Sequence, residues 1–113
     1  PEPEMDIHDI SGTWEEVSGP CYGSRWTILQ DGDRITYMSA RLTCSGGQKA
    51  WWFGRHFSWT DEDTLTFDYV FNEKPRGWNG GRYTVEFRNN RRARATWVDS
   101  QGYSGEIRLK RID

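Results

Sequence analysis

Several features that would point to an enzyme or a membrane protein are scarce or missing in this chain. No apolar run is long enough to span a membrane as a helix. Apolar residues nowhere repeat with a helical period, and no internal repeat is present. The 113 residues include only two histidines and two cysteines, without metal-ligand spacing or a nucleophile matched to a histidine. The sequence therefore predicts a non-enzymatic protein with no metal and no cofactor.

The two cysteines, Cys21 and Cys44, allow two interpretations. A pair of cysteines in a small β-domain favours a disulfide, which would help to stabilise a small core. Disulfides persist in oxidising compartments, so this reading predicts a secreted or periplasmic protein. The alternative is a cytosolic protein with two buried free thiols.

What the chain does contain is alternation of apolar and polar residues, with turn residues about every ten positions. This pattern is typical of all-β folds. It predicts a single domain over residues 9–113, preceded by a flexible arm at residues 1–8. About eight antiparallel strands joined by short turns favour an up-and-down barrel, because closure removes exposed strand edges. A two-sheet β-sandwich is the alternative.

Two turns set the expected register. Asp31-Gly32 predicts a two-residue hairpin turn, which pairs Trp26 with Tyr37. The alternation then fails between Met38 and Leu42, and a β-bulge near Ser39 would restore it.

The turn after Phe87 contains Asn89 and Asn90. A three-residue turn pairs Arg88 with Arg92 and returns the alanines of the next strand to the core. Because asparagine tolerates the left-handed conformation that such a turn needs, we expect this register.

The seven tryptophans divide into two sets by this alternation. Those in step with it are expected to face inward: Trp14, Trp26, Trp51, Trp59 and Trp97. A ligand at one mouth of the barrel would be lined by Trp51, Trp59, Tyr69, Tyr83 and Trp97, together with Arg55. Arg55 has further readings: it caps a barrel end over an aromatic ring, or a bulge at Gly54 turns it outward.

The aromatic residues out of step with the alternation, or in turns, are expected at the surface. They are Trp52, Trp78, Tyr22 and Tyr103. Exposed aromatic side chains on loops are typical anchors for proteins or sugars. The alternative is that they fold over a barrel end as plugs.

Charge is distributed unevenly along the chain. Residues 1–73 hold 5 basic and 13 acidic side chains, whereas residues 74–113 hold 10 basic and 4 acidic ones. Six basic residues are expected to form one outward positive face: Arg82, Arg88, Arg92, Arg94, Arg108 and Lys110. This face would suit an acidic partner, or it is simply a solvated surface. Nucleic acid is disfavoured by the acidic remainder of the chain.

The segment Ile10-Ser11-Gly12-Thr13-Trp14 carries a G-x-W motif and resembles the start of small calycin barrels, the lipocalins and avidins. It is also similar to bacterial inhibitors of serralysin-type metalloproteases. The resemblance implies that Trp14 packs across a closed barrel end, under a basic residue of the last strand: Arg108, Lys110 or Arg111.

Three functions follow as hypotheses. The leading one is a binding protein whose barrel holds a small apolar or amphipathic ligand. The second is a protease inhibitor that engages its target through the N-terminal arm and nearby loops. The third is a lectin-like carbohydrate-binding module that uses Trp52 and Trp78.

Overall fold

The computed structural model describes residues 9–113, and the predicted arm at residues 1–8 lies outside the described residues. The chain forms eight antiparallel strands: β1 Gly12–Glu16, β2 Arg25–Asp31, β3 Arg34–Thr43, β4 Lys49–Trp59, β5 Thr64–Glu73, β6 Gly81–Phe87, β7 Arg92–Asp99 and β8 Ser104–Arg111. Within this part of the chain there is no helix, and hence none that could cross a membrane.

The eight strands close into an up-and-down barrel in sequence order. Closure depends on β1, which pairs with β2 on one side and with β8 on the other. Trp14 is opposite Trp26 in the first pairing and opposite Arg111 in the second. The all-β barrel prediction is confirmed, and the two-sheet sandwich is not adopted.

The barrel has two different ends. One end, here called the closed end, carries the start of β1, the end of β8 and the β2–β3, β4–β5 and β6–β7 turns. The other, the open end, carries the loops at residues 17–24, 44–48, 74–80 and 100–103. Alternating side chains of all eight strands fill the space between them.

Trp14 seals the closed end. It is fully buried, its Nε1–H donates to the Ile10 carbonyl oxygen at 2.9 Å, and Phe87 meets its ring edge-on at 5.5 Å. Arg111, opposite Trp14 on the last strand, donates to the Asp9 carbonyl oxygen at 2.6 Å and is 3.5 Å from the Asp113 carboxylate. Aromatic packing and paired charges therefore close this end.

The β6–β7 turn has the predicted register. Arg88 N–H donates to the Arg92 carbonyl oxygen at 2.9 Å, and Phe87 is opposite Ala93. The Asn89 side-chain oxygen accepts from the Arg91 and Arg92 N–H groups at 2.8 and 2.9 Å. An asparagine side chain thus holds the three-residue turn.

The β2–β3 register differs from the prediction. Asp31 pairs with Arg34, so the turn residues are Gly32 and Asp33. The irregularity falls between Leu29 and Gln30 on one strand, where Thr36 is the extra residue on the other, rather than near Ser39. Trp26 consequently pairs with Ala40 and not with Tyr37, which is exposed.

Strand β4 contains the bulge that reverses several predictions. Arg55 pairs with Asp68 and Ser58 with Thr66, so His56 and Phe57 face the single residue between those partners. His56 has a positive φ of 60°, a conformation uncommon outside glycine. Two residues opposite one shift the alternation by one position.

The bulge corrects three inward–outward assignments. Alternation extended back from Trp59 places Trp51 and Arg55 inside, but before the bulge the inner face belongs to Ala50 and Trp52. Trp52 is therefore fully buried and not at the surface. Trp51 lies on the outer face of the barrel, with the Arg41 guanidinium carbon 4.2 Å from its ring centroid, and Arg55 is exposed.

Cys21 and Cys44 form a disulfide. It links the loop at residues 17–24 to the loop at residues 44–48, both at the open end. The predicted pairing is confirmed, and the bond favours an oxidising environment over the cytosol.

Candidate functional site

The open end contains a cavity of about 510 Å³. Residues of seven strands and three loops line it, and aromatic rings dominate its wall. The lining residues are Glu16, Pro20, Cys21, Leu42, Trp52, Tyr69, Phe71, Gly77, Trp78, Asn79, Tyr83, Trp97, Asp99, Tyr103, Ser104, Gly105, Glu106 and Ile107. A volume of this size falls in the usual range of small-molecule sites, roughly 300–1,000 Å³.

A row of touching aromatic rings leads from the barrel interior to the rim. The ring centroid of Trp52, at the bottom, is 5.2 Å from that of Tyr83, and the Tyr83 centroid is 4.8 Å from that of Tyr69. Tyr69 meets Phe71 edge-on at 5.7 Å, and Phe71 is 6.0 Å from Trp78 of the loop at residues 74–80. Because neighbouring rings fix one another's orientation, the wall is largely preformed.

Trp97 lies on the inner face of β7, directly opposite Gly105 on β8. A methyl group at Gly105 would lie 2.8 Å from the Trp97 ring atoms. The missing side chain therefore makes room for the indole against the wall.

Glu16 is the unexpected member of the lining. Its residue is only 2% exposed, and its carboxylate accepts a hydrogen bond from Trp26 Nε1–H at 2.8 Å. Burial raises the pKa of Glu16 to about 7, and the Trp26 hydrogen bond offsets only part of that rise. Both the acid and the carboxylate are therefore populated near neutral pH.

The other two carboxylates of the lining already have partners. Asp99 Oδ1 accepts from the Gln101 and Tyr103 N–H groups, each at 2.9 Å, and so holds the β7–β8 turn. Glu106 is 3.7 Å from the Arg94 guanidinium. Glu16 alone of the three lacks both a cationic partner and a backbone donor among the described residues.

Trp52 also brings an unused polar group to the cavity wall. Its Nε1–H is buried and makes no hydrogen bond with any described residue, although it lies beside the Tyr83 hydroxyl. Native interiors rarely leave such a donor unpaired, and exceptions call for an explanation.

The two tyrosines keep their protons. Burial raises the pKa of Tyr83 and of Tyr69, with a further contribution from nearby carboxylates. Their hydroxyl groups are therefore neutral at physiological pH and are able both to donate and to accept hydrogen bonds.

The predicted site residues divide between the cavity and other regions. Tyr69, Tyr83 and Trp97 line it as expected, and so do three of the four residues expected at the surface: Trp52, Trp78 and Tyr103. Trp59 points inward but packs on Phe87 at the closed end. Trp51, Arg55 and Tyr22 do not reach the cavity, because the first two face outward and Tyr22 is 69% exposed on its loop.

Glu16 was not anticipated, although the sequence contains a signal for it. It stands two positions after Trp14, so strand alternation assigns it to the same inward face. Phe71, two positions after Tyr69 on the same strand, was not anticipated as a site residue either. Its role depends on Trp78, whose loop conformation is not encoded in a short pattern.

The predicted positive face is partly neutralised. Arg94 contacts Glu86 at 2.6 Å, and Arg82 contacts Asp68 at 2.8 Å, which separates Arg82 from the others. Arg92 is opposite Lys110 and Arg94 opposite Arg108, so like charges adjoin across β7 and β8. A broader depression of about 1000 Å³ beside these strands has a lining rich in such charged residues. An acidic partner for this face stays a prediction.

Comparison with protein families, with curated proteins and with solved structures finds no match for this chain. The barrel is consistent with a small calycin-like fold. The geometry of the site is therefore what indicates a function.

Proposed function

We propose that this protein is a non-enzymatic binding protein whose open-end cavity holds a small amphipathic molecule. The observation that carries the proposal is the combination of an aromatic wall with a buried carboxyl group that has no charged partner. Perturbed titratable groups in a preformed apolar cavity are a general mark of binding sites.

The apolar part of the ligand would contact the aromatic wall. The row from Trp52 to Trp78, together with Trp97, presents aromatic surface to the cavity. Burial of apolar surface contributes roughly 25 cal/mol per Å², so even a ligand with a single aromatic ring gains appreciable affinity there.

The polar part would sit deeper. Glu16, the Trp52 N–H and the tyrosine hydroxyls supply an acid, a free donor and two groups that donate or accept. A few polar groups in an apolar cavity fix the orientation of a ligand and select among ligands.

Isothermal titration calorimetry with a neutral aromatic probe, N-phenyl-1-naphthylamine, tests the proposal. Trp78→Ala removes a rim ring of the cavity, whereas Trp51→Ala removes a ring of similar exposure from the outer face. We expect saturable binding to the wild type, at least a tenfold loss in Trp78→Ala and no change in Trp51→Ala. Equal losses in both variants, or no binding to the wild type, would contradict the proposal.

The disulfide leads us to propose a secreted or periplasmic location. Two free thiols in protein isolated under non-reducing conditions would contradict it. The inhibitor and lectin hypotheses remain alternatives. The arm that the inhibitor hypothesis requires lies outside the described residues. Trp52, on which the lectin hypothesis relies, is buried at the bottom of the cavity.

A further inference from the structure

We infer that the open-end cavity selects organic cations, with Glu16 as the counter-ion and the surrounding aromatic rings as the cage for the ligand. The inference deepens the proposed function and rests on it. Its basis is the charge of the lining: Glu16 and Asp99 contribute carboxylates from the inward faces of their strands, and no lysine, arginine or histidine is present among the described residues of the lining.

This one-signed lining is notable because the chain has nearly as many basic as acidic residues, 15 against 17. The basic side chains of the strands next to Glu16 point away from the cavity: Arg25, Arg108 and Lys110 are all exposed on the outer face. An anionic ligand would meet the carboxylates of Glu16 and Asp99, whereas a cationic one would meet only complementary charge.

The aromatic wall supports the same sign. A cation over the face of a tryptophan or tyrosine ring is attracted by the ring quadrupole, and the attraction grows when the site excludes water. Trp52, Tyr69 and Tyr83 form a continuous group with ring centroids 4.8 to 6.0 Å apart, and Trp97 and Trp78 also line the cavity.

Glu16 is the carboxylate suited to pair with such a ligand. Asp99 is occupied by the β7–β8 turn and Glu106 by Arg94, whereas Glu16 has only the Trp26 N–H. A bound cation would provide the charge partner that a buried carboxylate otherwise lacks. The other ionisable residues of the lining are Tyr69, Tyr83, Asp99 and, with its carboxylate on the outer face of β8, Glu106.

Three probes of matched shape test the inference at pH 8: 2-phenylethylammonium, 2-phenylethanol and 3-phenylpropionate, each measured by calorimetry. We expect the ammonium ion to bind at least tenfold more tightly than the alcohol, and the carboxylate to bind most weakly. Glu16→Gln should reduce the ammonium affinity at least tenfold more than it reduces the alcohol affinity. Glu86→Gln, which removes a carboxylate of the outer face, should change neither.

The outcomes separate the two proposals. Equal binding of the ammonium ion and the alcohol, or full ammonium affinity in Glu16→Gln, would overturn cation selectivity and leave the binding cavity intact. Tightest binding of the carboxylate would overturn it as well. If neither these compounds nor N-phenyl-1-naphthylamine binds, both the cavity function and its selectivity fail.

Discussion

The two ends of the barrel differ in whether their buried tryptophan and their charged side chain have polar partners. At the closed end, Trp14 is buried with its N–H bonded to a carbonyl oxygen, and Arg111 has carboxylate and carbonyl partners. At the open end, Trp52 is buried with its N–H unbonded, and Glu16 is buried without a cation. One end satisfies its polar groups, and the other leaves polar groups available beside a cavity.

The difference indicates that the open end is less stabilised than the closed end. Unpaired buried polar groups cost roughly 1–3 kcal/mol each, and a buried charge costs more. A small domain has only a modest margin of stability, so such groups are expected to be kept mainly where binding requires them. This contrast, more than the barrel itself, supports the proposal that the open end is the functional one.

The largest effect should come from breaking the closed end. Trp14→Ala removes a fully buried ring and should lower the free energy of unfolding by roughly 3–5 kcal/mol. The matched change at the open end, Trp78→Ala, removes a half-buried rim ring and should cost about 1 kcal/mol. Urea unfolding of the two variants compares the ends directly. Equal losses would remove the distinction.

The disulfide provides the next test, because it constrains loops at the open end. Its cysteines are 23 positions apart, and loss of the cross-link through Cys21→Ser with Cys44→Ser should cost roughly 3 kcal/mol. The hydrogen–deuterium exchange that increases most should be that of residues 17–24 and 44–48. Uniformly faster exchange, including around Trp14, would mean that the bond supports the whole barrel equally.

Glu16→Gln should have the opposite sign and stabilise the protein. The pKa of Glu16 is about 7 in the folded chain, against the ordinary value of 4.5. The folded state therefore keeps the Glu16 proton up to a higher pH than the unfolded state does. The wild-type free energy of unfolding consequently falls as pH rises between those two pKa values.

The glutamine variant lacks this titration. Its advantage should be absent at pH 4, grow through that window and reach up to about 3 kcal/mol at pH 8. Thermal unfolding at both pH values measures it. A variant that is less stable than the wild type at pH 8 would show that the Glu16 carboxylate is stabilising in the free protein.

A smaller effect compares the two tryptophan N–H groups. Trp14→Phe breaks the bond to Ile10 and leaves its carbonyl oxygen unpaired, whereas Trp52→Phe removes a donor that was already unpaired. Both changes also shrink a ring, so the difference between them isolates the N–H. We expect Trp14→Phe to cost about 1 kcal/mol more, as measured by urea unfolding.

Much of this contrast was open to prediction from the sequence. Alternation and the Asn89 turn gave the barrel and the register of β6 and β7, because those strands contain no irregularity. The same alternation places Glu16 inward next to Trp14, although the prediction did not use it. The inward–outward prediction for β4 was wrong because the strand contains a bulge with one extra residue. Nothing in the sequence pattern marks His56 as the site of that bulge.

The failure at β4 mattered for the site. Alternation continued across the bulge without a shift, so the predicted faces of Trp51 and Trp52 were exchanged. The residue at the bottom of the cavity, Trp52, was therefore predicted at the surface. The approach of Trp78 to Phe71 was also beyond prediction, since it depends on the conformation of a glycine-rich loop. Strand faces follow from local pattern, whereas cavities depend on irregularities and loops.

The role of Glu16 at the open end can be measured directly by an NMR titration of its side-chain carboxyl carbon, with and without saturating 2-phenylethylammonium. We expect a midpoint of about 7 in the free protein, because the carboxyl group is buried without a cation. With the ligand, the midpoint should fall by about one pH unit or more, because a bound cation stabilises the carboxylate. A midpoint near 4.5 in the free protein, or one that does not move when the ligand binds, would contradict this role.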